Sequence, residues 1–111
     1  MNAGHNDLAP HEVKYAAITA TTTSGDNTIV AAVSGKKIRV LNYVVASSGN
    51  STITWESNNT TALSGVINTQ AMDQLVAGYN PDGHFQTVAG EALTAALGGN
   101  AYHGHLSYIE V

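Results

Sequence analysis

The chain has 111 residues and a mass of 11.5 kDa, one domain's worth when domains commonly run to about 100–150 residues, so a catalytic unit joined to a regulatory one is excluded. Its formal charge of −4 is the wrong sign for gripping nucleic-acid phosphates through counterion release. With no cysteine there is neither a disulfide framework nor a thiolate metal site.

Apolar residues make up 43% of the chain, but sixteen of them are alanine. The core is therefore expected to be thin and to draw support from oligomerisation. Thr, Asn and Ser together make thirty residues, and charged residues only 11%, against about 25% in an average soluble protein. A neutral surface rich in hydroxyls and amides follows. No stretch has the 18 or more apolar residues of a membrane helix, and the start, MNAGHNDLAPHE, lacks a basic-then-apolar signal pattern. The expected product stays in the cytosol or is released by lysis.

Residues 1–13 are polar and read as an extended arm, with the globular domain over 14–111. From there, runs of β-branched residues recur every eight to twelve positions between Gly, Asn, Asp and Ser, the pattern of an all-β sandwich or barrel. The runs cover 15–23, 28–34, 37–47, 51–57, 62–68, 74–79, 84–88, 92–97 and 102–110. Turn signals separate them: Ser24-Gly25-Asp26-Asn27, Ser34-Gly35, Ser48-Gly49-Asn50, Asn58-Asn59, Asn80-Pro81-Asp82-Gly83, Ala89-Gly90 and Gly98-Gly99-Asn100. Over 71–77 a short helix competes with a strand, because Met72, Leu75 and Val76 are at compatible offsets. Uneven strand lengths favour a two-sheet sandwich over a barrel.

Alternation assigns faces. Ile53 and Trp55 fall on one side of 51–57 with Thr52, Thr54 and Glu56 on the other, which makes Trp55 a core anchor. In 102–110, Tyr102, Gly104, Leu106 and Tyr108 share one parity and His103, His105 and Ser107 the other. Apolar residues on both parities of 37–46 suggest a central strand whose outer face is also covered, by a neighbouring protomer. Three of the four basic residues, Lys36, Lys37 and Arg39, read as one solvated strand face following a turn.

Motifs for chemistry are sparse. His103-x-His105 points two imidazoles the same way and, with Glu110, has the spacing of a cupin-like histidine–histidine–glutamate set. Against it, Glu110 has the opposite parity, and a polar or intersubunit pair is the plainer reading, so no metal or other cofactor is expected. No serine sits in a Gly-x-Ser-x-Gly elbow and no phosphate-loop pattern occurs. Asp73, Asp82 and Glu91 flank turns, where capping is their ordinary role, although carboxylates can still pair in space. Tyr79 and Phe85 beside the 80–83 turn could stack on a sugar. The expectation is a protein without enzymatic activity.

Three segments, 35–43 (GKKIRVLNY), 80–87 (NPDGHFQT) and 104–111 (GHLSYIEV), resemble a group of small tailed-phage capsid decoration proteins of the cement or head-stabilising type. That resemblance implies a jelly-roll-like antiparallel β-sandwich, usually trimeric, on the outer face of the capsid. The partners it implies are the major capsid protein and two further copies of the chain, with no direct nucleic acid and no membrane. The site is then the virion surface, after synthesis in the host cytoplasm. No catalytic residues carry over. Capsid contact is expected from the arm, through His5, Asp7, Leu8, Pro10 and His11, and protomer contact from Val40, Asn42, Val44, His103 and His105. The rival readings are a tail or head-fibre module that binds host glycans and a minimal cupin-like metal-binding protein.

Overall fold

The computed structural model describes residues 11–111; His5, Asp7, Leu8 and Pro10 of the expected arm lie outside the described residues. Ten antiparallel strands and no helix are found among those described. In chain order they are β1 (Lys14–Ala20), β2 (Ser24–Val30), β3 (Ile38–Ser47), β4 (Ser51–Ser57), β5 (Thr61–Ala62), β6 (Ile67–Thr69), β7 (Gln74–Ala77), β8 (Phe85–Gln86), β9 (Leu93–Gly98) and β10 (Tyr102–Glu110). The first sheet runs β1-β10-β3-β7, with β8 sharing the far edge of β3. The second runs β2-β9-β4-β5, with β6 likewise sharing the edge of β4. Packed face to face, they form the expected β-sandwich.

The core fills the space between the sheets. Ile18, Ala20, Ile38, Val40, Val45, Tyr102 and Leu106 come from the first sheet; Val30, Ile53, Trp55, Leu93, Ala95 and Leu97 come from the second. Trp55 is fully buried, as its alternation predicts. Its ring lies 5.0 Å from Tyr43 and 5.7 Å from Phe85, centroid to centroid. A buried hydrogen bond between the Thr69 hydroxyl of β6 and the Tyr102 hydroxyl of β10 fastens one sheet to the other.

At one end of the sandwich the chain crosses between sheets four times, at 21–23, 48–50, 70–73 and 99–101. Each crossing leaves backbone groups that need partners. Ser48 N donates to Ala101 O, Gly99 N to Thr23 O, and Asn100 N to the Ser51 hydroxyl, which donates in turn to Asn100 O. The crossings therefore satisfy one another.

Three local readings change in the structure, and a fourth, strand against helix over 71–77, is decided for the strand. Ser24-Gly25-Asp26-Asn27 is strand, not turn: it pairs with β9 from Ser24↔Gly98 to Asn27↔Ala95. The turn moves to 21–23, where the Asn27 amide accepts from Thr22 N and donates to Thr22 O. The run 62–68 splits into β5 and β6, because Leu63 N and Ser64 N both turn to Trp55 O while the Ser64 hydroxyl accepts from Trp55 N. Residues 71–77 do not form a helix: Met72 has φ 68°, which no helix interior accommodates. Finally, Leu41 is an extra residue in β3, since Ser107↔Asn42 is followed by Tyr108↔Val40. Alternation along β3 is interrupted at this bulge.

Candidate functional site

The outward side of the first sheet is a continuous surface across β1, β10, β3 and β7. Its cross-strand rows are Thr19, His103, Ala46, Gln74 and then Ala17, His105, Val44, Val76, with a third row of Tyr15, Ser107 and Asn42. None of these eleven positions is Asp, Glu, Lys or Arg. Asn42, Val44, His103 and His105 thus lie together, as the parity argument expects. Val40 does not: the Leu41 bulge turns it to the other side of β3, where it is 0% exposed in the core, so it offers no surface to a protomer. Leu41 is itself fully buried, outside the main core. There the 78–84 segment runs along β3, with Asn80 N donating to Leu41 O and His84 N to Val40 O. This chain's own loop, not a neighbour, covers that part of the central strand.

The polar members of the face are partly matched within the chain. Ser107 donates to Asn42 Oδ1 from both its backbone N and its hydroxyl. Gly104 separates the two histidines because β10 comes very close to β3 there: a Cβ at this position would run into the Val44 carbonyl oxygen. His103 and His105 are both exposed, and Glu110 is not beside them. It sits at the far end of β10, 3.2 Å from Lys14 Nζ. Among the described residues no three metal-ligating side chains are grouped.

That ion pair belongs to a shallow cleft of about 200 Å³ lined by His11, Glu12, Lys14, Lys36 and Glu110. Of the expected arm contacts, only His11 is described, and it stands at this cleft. The Glu110 carboxylate, as hydrogen-bond acceptor and as opposite charge, raises the Lys14 ammonium above its ordinary value. Two cations face two carboxylates here, so the cleft has little preference for either sign of ligand.

On the outward side of the second sheet Glu56 and Asp26 come together, one strand apart across β9. The sequence did not foretell this pairing. Burial, followed by the neighbouring Asp26 carboxyl, raises Glu56 above the usual carboxylate range. Its Oε1 is buried with no hydrogen-bond partner among the described residues. Ser57 also meets a carboxylate, donating to Glu91 Oε1 at 2.7 Å, but its oxygen accepts from Val88 N and the residue is fully buried. This is a clamp between β4 and the 88–91 turn. It has the ingredients of a nucleophile and base without access to a substrate.

The aromatic pair is divided. Tyr79 is 57% exposed, whereas Phe85 packs against the core beside Trp55 and Tyr43. Only Tyr79 is free to stack on an external ring. Among the described residues no helix is long and apolar enough to cross a membrane.

The three segments that carry the resemblance are far apart in sequence but adjacent in space. Residues 35–43 enter β3, 80–87 enter β8, and 104–111 form most of β10, while β10 and β8 both pair with β3. Thr87 N donates to Ile38 O, and Lys37 and Val111 exchange two backbone hydrogen bonds. Compared with protein-family models and with curated proteins, the chain matches none.

Proposed function

We propose that the chain is a non-enzymatic virion structural protein, a jelly-roll-like sandwich that binds the outer surface of a phage capsid as a trimer and stabilises the head. The observation that carries this reading is the convergence of the three resembling segments on β3, β8 and β10. Segments scattered over the chain build one continuous part of one sheet, so the resemblance rests on a single structural unit. The chemistry is compatible: the buried Ser57–Glu91 pair is structural and the exposed surface is dominated by neutral polar groups. Shells are cemented by many repeated modest contacts, and three linked copies gain avidity without a tight single interface.

The test is co-sedimentation of the purified protein with empty capsids of a tailed phage that carries it, followed by image reconstruction. Saturable binding at the local threefold axes is expected, with a free protein of about three times 11.5 kDa. Absence of binding to these shells overturns the reading. Removing residues 1–13 should leave the fold intact, because β1 begins at Lys14, and should weaken attachment. Unchanged affinity overturns the role of the arm.

A further inference from the structure

We infer that the outward face of the β1-β10-β3-β7 sheet is where copies of this chain meet; the inference rests on the oligomeric reading above and assigns its interface. The occupant follows from charge. Every copy carries a formal −4, so copies repel except where their contact surfaces are free of carboxylates. The three rows through Ala17, His105, Val44 and Val76 hold no acidic or basic residue apart from the two histidines. The opposite face of the sandwich carries Asp26 and Glu56 side by side, with Glu56 already held against ionisation by burial and by its neighbour. Docking two copies there would gather four carboxyl groups in a water-poor seam.

The favoured face also has what burial requires. Tyr15 is 78% and Val76 68% exposed at its two flanks, and Met72, just before β7, is 82% exposed. Small residues at Ala17 and Ala46 leave the middle flat. Ser107 has already spent its donors on Asn42, so this part of the row can lose water without losing those hydrogen bonds. A lipid or nucleic-acid partner has no cationic patch to find on these rows; a second copy finds a sheet without Asp, Glu, Lys or Arg, in which Tyr15, Ala17, Val44, Ala46 and Val76 stand among polar side chains.

Sedimentation of the full chain and three variants at micromolar concentration decides the matter. Val76→Glu and Val44→Glu place a carboxylate on the face, and Thr54→Glu places one on the opposite sheet. The first two are expected to weaken assembly at least tenfold and yield the 11.5 kDa species, while Thr54→Glu remains assembled. Val76 is exposed in the single chain, so its replacement leaves folding intact; far-ultraviolet circular dichroism and Trp55 emission confirm that for each variant. Unchanged assembly of Val76→Glu, or dissociation of Thr54→Glu alone, overturns the assignment. So does a wild-type protein that stays monomeric. Shell co-sedimentation separates the two proposals: a monomer that still binds capsids defeats this interface and keeps the capsid reading, and a trimer that dissociates with Val76→Glu but ignores shells does the reverse.

Discussion

The hydroxyl pair between the two sheets allows a stringent test of the packing. Tyr102 is fully buried, Thr69 is 6% exposed, and the Thr69 hydroxyl also lies 3.3 Å from Ser51 O as a donor. Tyr102→Phe deletes one hydroxyl and leaves Thr69 its bond to Ser51, so the cost is that of one net hydrogen bond, about 0.5–1.5 kcal/mol. Thr69→Val strands the Tyr102 hydroxyl in the core, which costs about 1–3 kcal/mol. In the double variant nothing is stranded, so the total should fall at or below that of Thr69→Val alone. Against a stability of about 5–15 kcal/mol for a domain of this size, each change is measurable and none should prevent folding. Urea unfolding followed by the single tryptophan, Trp55, supplies the numbers, at fixed protein concentration because assembly stabilises the folded chain. Additivity of the two substitutions within about 0.5 kcal/mol, or a greater cost for Tyr102→Phe than for Thr69→Val, would refute the coupled-pair argument.

Three further outcomes are expected. Because Glu56 binds its proton more tightly in the folded chain than in the unfolded one, folding loses stability as pH rises from the ordinary glutamate range through the raised value. Glu56→Gln should therefore raise the melting temperature at pH 7 relative to wild type and narrow the difference at pH 4; equal effects at both would show that the charge is not the cause. Gly104→Ala should destabilise by about 1–3 kcal/mol or more, read by the same urea assay, because its methyl group meets backbone that cannot rotate away. His103→Ala, one residue earlier and exposed, should stay within about 0.5 kcal/mol of wild type.

How much was legible in the sequence varied with how locally each feature is determined. β4 and β10 match the predicted runs at both ends, and β3 matches at one end and within a residue at the other, because β-branched residues and Gly, Asn or Ser boundaries act within a few residues of each other. The Asn58-Asn59 turn was equally plain: both residues have positive φ, 53° and 62°, a conformation that asparagine tolerates better than most residues. The 24–27 segment has strong turn chemistry, yet β9 recruits it as a strand partner and Asn27 bonds back to Thr22. Tertiary pairing outweighed local preference there.

Composition and period thus determined an all-β chain with Trp55 in its core, a neutral surface and two histidines pointing outward, because each of these needs only residue type and alternation. Three features waited for the tertiary structure. The Leu41 bulge, which carries Val40 into the core while Asn42 and Val44 face out, depends on which residue of β10 each meets. The Asp26–Glu56 pair exists only because β9 lies between β2 and β4. The gathering of 35–43, 80–87 and 104–111 on one sheet is a matter of strand order. Each requires that segments distant in sequence be brought into register, and a single strand's pattern holds no record of its partners.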